Sequence, residues 1–242
     1  MAVDRFGADV AERYDERYGY EATPEVVDPI VDFLLEHAKD GPVLELGIGT
    51  GRVGLPLAGR GVQVHGIDLS EEMVARLRAK PGADQIEVTI GDFATTKLDE
   101  TFTLAYLVAN TIMNLTTQDE QVACFRNVAE HLEPGGRFVV EVLVPDLQRL
   151  PPGETFELFH VTPSHVGFDE IDVATQRLVS HHYWIDGDRV QVLSPPFRYV
   201  WPSELDLMAQ LAGMSLRERW GGWKHEPFTS DSRKHVSVWE TP

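Results

Sequence analysis

Cysteine is nearly missing from this chain, with Cys124 the only one in 242 residues. That excludes an intramolecular disulfide framework and fits a reducing compartment. Within its helical apolar pattern the thiol reads as a small core residue. Basic residues are scarce too: 21 Lys and Arg stand against 39 Asp and Glu, for a net charge of −18. Such a field repels a phosphate backbone, and no Lys/Arg cluster stands out locally, so no nucleic-acid partner is expected. No apolar run approaches the roughly 18 to 20 residues of a spanning helix. The first fifteen residues, with Asp4, Arg5, Asp9, Glu12 and Arg13, lack the apolar core of a signal peptide. A cytoplasmic protein with no membrane partner is the expectation. There is no HExxH motif or cysteine cluster, so no metal is expected, and no Gly-x-Ser-x-Gly elbow for a serine hydrolase.

What is present is an alternation of helical and strand patterns. Thr23 and Pro24 look like a helix start, with Val27, Ile30, Val31, Leu34 and Leu35 at helical spacing, although Pro29 leaves the start uncertain. Residues 43–46, 62–67, 86–90, 102–108 and 137–144 read as five strands. Ser70 opens a helix, and Thr117 to Glu120 form a capping-box sequence opening another to about His131. Strands interleaved with helices imply a parallel sheet covered on both faces. Residues 156–161, 165–173, 178–185 and 189–200 then look like successive strands without helices, with Asp186-Gly187 as a hairpin turn. A last helix over 202–211 and strands over 215–220 and 235–240 close the chain. The expected fold is α/β: Rossmann-like, doubly wound, with a mostly parallel seven-stranded sheet and an antiparallel β insertion before the last helix. One domain over 1–242 is expected, made of an N-terminal lid (1–22), an α/β core (23–145), the insertion (146–201) and the closing elements (202–242).

The chemistry is concentrated at Val43-Leu44-Glu45-Leu46-Gly47-Ile48-Gly49-Thr50-Gly51-Arg52. A strand delivers the chain to a glycine turn, where the missing side chains permit positive φ and close approach of a ligand. Residues 49–54 also match the dinucleotide fingerprint, which alone is weak evidence. Asp68 closes the second strand 19 residues after Gly49, where a carboxylate accepts bonds from ribose hydroxyls. Gly91-Asp92-Phe93 closes the third, and Leu132-Glu133-Pro134-Gly135-Gly136 precedes the fifth.

Glu45, the alternating glycines, the two spaced acids and the Pro-Gly-Gly turn together resemble the class I S-adenosylmethionine-dependent methyltransferases over residues 10–145. The resemblance implies an enzyme that binds S-adenosylmethionine and passes its methyl group to a small-molecule amine or hydroxyl. It implies that Asp68 holds the ribose, that Asp92 binds the adenine amino group and that Phe93 packs near the base. Glu45, Gly47, Gly49, Gly51, Leu69, Met73, Gly91 and Asn110 join them as methyl-donor-binding residues, with Tyr14 from the N-terminal aromatic segment. The insertion resembles, in architecture, the substrate-covering layer of glycine and sugar-amine N-methyltransferases. A catalytically silent S-adenosylmethionine-binding sensor and a nicotinamide-dependent oxidoreductase are the rival readings.

An amine or hydroxyl acceptor must lose a proton, ideally to a His, Tyr or carboxylate. Tyr14, Tyr18, His181 and His182 are the candidates carried forward, among a wider set that includes His160, His165, Tyr183 and Tyr199. His181 and His182 are adjacent on a strand and must point to opposite faces. The aromatic residues of the insertion suit a core, an apolar pocket or a cage for a cationic amine. Acceptor identity, the atom methylated and a homodimer formed through the insertion stay open.

Overall fold

The computed structural model describes residues 7–17 and 19–242. β1 (Val43–Leu46) is buried at every position, as a near-continuous apolar strand in a doubly covered sheet should be. It runs parallel to β2 (Val64–Asp68) on one side and β4 (Phe102–Leu107) on the other. β3 (Ile86–Ile90) extends the sheet beyond β2, and β5 (Leu132–Leu143) extends it beyond β4. β12 (Lys234–Glu240) lies antiparallel to β5, and β11 (Ser215–Trp220) antiparallel to β12. The seven-stranded order is β11-β12-β5-β4-β1-β2-β3, with β12 the one reversed strand. This is the mostly parallel sheet expected from the sequence.

Side chains alternate along each strand and feed two cores. Leu44 and Leu46 join Phe125 and Val128 of α5 (Gln118–His131) and Leu205 and Met208 of α6 (Pro202–Leu211) on one face. Val43 joins Val27, Ile30 and Leu34 of α2 (Pro24–Ala38) and Leu57 of α3 (Gly54–Gly59) on the other. The capping box opening α5 is complete: the Glu120 N–H donates to Thr117 Oγ1 at 3.2 Å and the Thr117 N–H to Glu120 Oε2 at 3.0 Å. Pro24 sits in the first turn of α2, and Pro29 lies inside the helix, which settles the start at Pro24. Ser70 caps α4 (Glu71–Arg78) by accepting from the Met73 N–H. Among the described residues no helix is long and apolar enough to cross a membrane.

The insertion forms a second, antiparallel sheet of five strands: β6 (Phe156–Val161), β7 (His165–Asp172), β8 (Arg177–Asp186), β9 (Arg189–Leu193) and β10 (Pro196–Arg198). The single strand expected over 189–200 is split into β9 and β10, both paired with β8. The break falls at Ser194-Pro195-Pro196, where two prolines lack the N–H a ladder needs. On one face of this sheet Ile171 and Leu178 are buried in the main core with Phe93, Ile112 and Met113. A polar clamp fixes the junction. Fully buried Gln121 of α5 donates to the carbonyls of Ile112, Leu115 and Arg198, while Arg198 donates to Gln121 Oε1 at 2.5 Å and Glu204 Oε1 at 2.6 Å.

Candidate active site

The turn after β1 carries Gly47, Gly49 and Gly51 at φ of 71°, 56° and 80°. At Gly51 a Cβ would come within 2.1 Å of Leu77 Cδ1, and at Gly47 within 2.7 Å of Thr111 Cγ2. Conformation and space both demand glycine here. Asp68, at the end of β2, accepts from the Gly49 N–H at 2.6 Å and from the Ser70 N–H at 2.9 Å. Its carboxylate therefore ties the glycine turn to the β2 turn. Met73 lies against the same turn, its Cε 3.3 Å from where a Gly49 Cβ would be. Asp92, after β3, accepts from the Ala94 N–H at 2.9 Å, and the Phe93 ring packs in the core beside the Gly47 position. Leu69 lies between Asp68 and Ser70, and Gly91 donates its N–H to the Asp68 carbonyl at 2.8 Å. All these turns leave the carboxyl ends of parallel strands, the edge on which open α/β sheets bind ligands.

Glu45 lies beneath this turn. It is 3% exposed, and Gly54 leaves no room above it: a Cβ there would meet Glu45 Oε2 at 2.6 Å. Burial pushes its carboxyl pKa up to about 8, against the opposing pull of the Tyr106 hydroxyl and Arg52. Neither Glu45 Oε2 nor the Tyr106 hydroxyl makes a hydrogen bond of good geometry among the described residues. A buried, poorly satisfied carboxyl directly under a glycine cradle is a polar foundation for the loop.

Ala109 and Asn110, after β4, both take left-handed backbone, at φ of 54° and 63°. Side chains rarely adopt that conformation, and such strain collects at ligand sites. Asn110 Oδ1 accepts from the Leu143 N–H at 2.8 Å, so its carbonyl oxygen clasps the β4 and β5 ends together. The Ala109 N–H donates to Glu141 Oε2 at 3.0 Å, and Glu141 Oε1 accepts from Trp223 Nε1 and Lys234 Nζ. Sequence reasoning missed Glu141, since one acid in a strand gives no motif.

It also missed Asp15, which seats the N-terminal helix α1 (Ala8–Arg17) on the glycine turn. Asp15 accepts from Thr50 Oγ1 at 2.6 Å and pairs with Lys80 at 2.7 Å, while Lys80 donates to the Thr50 carbonyl at 2.8 Å. These bonds outweigh desolvation, the largest opposing influence, and hold the Asp15 carboxyl below its usual range. Two residues on, Arg17 lies 3.9 Å over the Trp184 ring and donates to Gln191 Oε1 at 2.5 Å. One short helix thus touches both the glycine turn and the antiparallel layer. Tyr14 is half-buried on it; Tyr18 lies outside the described residues.

The two adjacent histidines do separate. His182 shares a face with His165 and Trp184, with rings stacked at 6° to 8°. It is the face that buries Ile171 and Leu178, called inner below. His181 lies on the outer face, stacked on Phe168 and paired with Glu170 at 3.3 Å. Tyr183 stacks beside Phe168 on that outer face, and Tyr199 is buried in the core. His160 rests against His165 at 4.6 Å between ring centroids.

A sheet with one reversed strand, a glycine cradle and acids closing β2 and β3 defines a nucleoside-binding α/β enzyme. Residues 43–136 match the family described as "Methyltransferase domain". The chain is 38% identical to the CcbJ methyltransferase of Streptomyces caelestis, with 96% of each chain covered and a TM-score of 0.86. It is 27% identical to the cypemycin N-terminal methyltransferase of a Streptomyces species, over 94% of this chain and 97% of that one. It also superposes on the S-adenosylmethionine-bound amino pentose methyltransferase CalS10 of Micromonospora echinaspora, at 21% identity and a TM-score of 0.70, over 95% and 96% of the two chains. The chain belongs to the class I S-adenosylmethionine-dependent methyltransferases. It is an enzyme, and S-adenosylmethionine is its methyl donor.

Proposed function

We propose that this enzyme methylates an amine nitrogen on a small molecule or a peptide chain end, in the cytoplasm. The observation that carries the reading is the inner face of the antiparallel layer, anchored at one end on the Phe93 turn and at the other, through α1, on the glycine turn. At one end Ile171 and Leu178 pack with Phe93 and Ile112; at the other Trp184 and Gln191 meet Arg17, whose helix is pinned to Thr50 through Asp15. A cover so placed walls off room for an acceptor beside the methyl. The cypemycin relative supports the choice of nitrogen, because it is an N-terminal methyltransferase.

Bound S-adenosylmethionine supplies a methyl already activated on a sulfonium: the nitrogen–carbon bond forms as the carbon–sulfur bond breaks, with its electron pair going to sulfur. The chain's part is placement and exclusion of water. In this reading Asp68 holds the ribose, Asp92 and Phe93 the adenine, and Gly47, Gly49, Gly51, Leu69, Met73 and Gly91 shape the cradle. Glu45 acts from below, Asn110 fixes the β4 turn, and α1 with Tyr14 closes over the top. The net charge of −18 disfavours a nucleic-acid acceptor. The outer face of the layer, where Leu158 is 63% and Val190 58% exposed, supports self-association as a homodimer.

Methyl-labelled S-adenosylmethionine offered with matched amine and hydroxyl compounds tests the proposal. Label should appear on the amines, including a peptide with a free N-terminal amine. Label on the hydroxyl partners alone would overturn it.

A further inference from the structure

The inner face of the layer holds a hydrogen-bonded chain that neither the methyl-donor site nor the core requires. Strand register places Asp169 opposite Ser180, and Gly167 opposite His182, one step further from Ile171 and Leu178. His165 Nε2 and His182 Nδ1 are 3.1 Å apart, and His182 Nε2 and Ser180 Oγ are 3.2 Å apart. Ser180 is the cross-strand neighbour of Asp169, and its hydroxyl holds the Asp169 carboxyl pKa down. One assignment of hydrogens satisfies the whole series: His165 donates to His182, His182 to Ser180, and Ser180 to Asp169. The series then runs toward a carboxylate, as in catalytic relays where a base is oriented by a second and third group.

At the end of the chain Asp169 Oδ1 is buried and has no hydrogen-bond partner among the described residues. A buried, unpaired carboxylate oxygen costs stability, and it persists where a ligand or reaction uses it. Its place fits. Asp169 lies between the two anchors of the layer, the Ile171–Leu178 contact with the core and the Trp184–Arg17 contact with α1. At the Trp184 end the layer and α1 border an open cleft of about 490 Å³, with Glu12, Arg13, Asp186, Arg189 and Gln191 in its wall, room for the remainder of an acceptor. Gly167 keeps the middle of the face thin: a Cβ there would strike the Phe159 ring at 2.3 Å, so the ring lies across the sheet beside His182.

We propose that Asp169 binds the acceptor's amine nitrogen and takes its proton, with Ser180, His182 and His165 as the residues that position it. The proposal rests on the amine reading above. The acceptor arrives as an ammonium, its N–H proton passes to an Asp169 oxygen, and the freed lone pair forms the bond to the methyl carbon. The electron pair of the broken carbon–sulfur bond stays on sulfur, and the proton leaves Asp169 for water with the product.

The surroundings suit that task. Burial raises the Asp169 pKa, Glu157 on β6 raises it further, and Ser180 and His181 pull it back, which makes a stronger base than an exposed aspartate. His182 is pushed down to about 4 by burial and by His165, Arg17, His181 and His160, so it stays neutral near pH 7 and keeps its place in the chain. His165 is lowered by burial, His160 and Arg17 in the same way.

The test uses L-prolinamide and L-alanyl-L-alaninamide as amine probes, with lactamide as the hydroxyl control. Methyl transfer by Asp169→Asn, Ser180→Ala and the outer-face control Glu170→Gln is followed from pH 5.5 to 9. Asp169→Asn should lose at least tenfold in kcat/KM for the amines, keep its affinity for S-adenosylhomocysteine within twofold, and lose the acid limb of the wild-type pH profile. Ser180→Ala should keep that limb but move it to higher pH, because the bond that stabilises the carboxylate is gone. Glu170→Gln should match wild type. Amine turnover by Asp169→Asn with an unchanged acid limb overturns the proposal, as does a parallel loss of methyl-donor affinity, which would make Asp169 structural. Wild-type protein that methylates neither amine overturns the amine reading itself, and this assignment with it.

Discussion

Glu45→Gln protein is expected to be more stable than wild type at high pH, in the absence of ligand, and to lose that advantage as the pH falls. The Glu45 carboxyl is fully enclosed, with a folded-state pKa near 8 set first by burial. In the unfolded chain the group titrates near its ordinary 4.5. Between these values the native protein holds a proton that the unfolded chain has released, so native stability must fall as pH rises through the window. Below about pH 4.5 both states are protonated and the group contributes no pH dependence. Above about pH 8 the full penalty is present, on the order of 5 kcal/mol for a shift of this size. Glutamine keeps the shape and cannot ionise, so its unfolding free energy should lack this downward slope. Urea titrations of both proteins at pH 5, 6.5 and 8.5 measure the difference. Parallel pH profiles would show that Glu45 is solvated or paired in solution.

Asp68→Ala is expected to weaken S-adenosylhomocysteine binding by about 10- to 100-fold, the loss of charge-assisted bonds worth roughly 1.5 to 3 kcal/mol. The substitution should also destabilise the ligand-free protein. Asp68 accepts from the Gly49 and Ser70 N–H groups, and both are left facing an alanine. Each such bond contributes about 1 kcal/mol net, so a drop of several degrees in melting temperature should accompany the affinity loss. Calorimetry well below the melting temperature separates the two effects. An unchanged Kd in a destabilised variant would assign Asp68 to loop structure alone.

The sheet was legible because short strand-like segments, largely apolar in β1 and β4, alternate with turn residues and helical patterns. Helix α6 was readable from Pro202 at its first position, and α5 from the Thr117–Glu120 box. The glycine turn was readable because its residues answer to local backbone needs. What the sequence hid depends on contacts between distant segments. Asp15 meets Thr50 only because α1 folds back across 35 residues, and Glu141 meets Ala109 across 32. Asp169 was hidden for a related reason. Alternation from His165 puts it on the inner face, but only the register of β7 against β8 sets it beside Ser180. Asn110 was singled out as a methyl-donor-binding residue, and the structure gives its side-chain oxygen to the Leu143 N–H. The break between β9 and β10 was readable in principle, since Pro195 and Pro196 cannot both sit in a continuous ladder.

The most direct test of the methyl-donor site is a calorimetric titration of the wild-type protein with S-adenosylhomocysteine, and in parallel with NADH. The glycine cradle, Asp68 and Asp92 predict a micromolar Kd for the first, about −8 kcal/mol, and no measurable heat from the second. Binding of NADH with no response to S-adenosylhomocysteine would contradict the account.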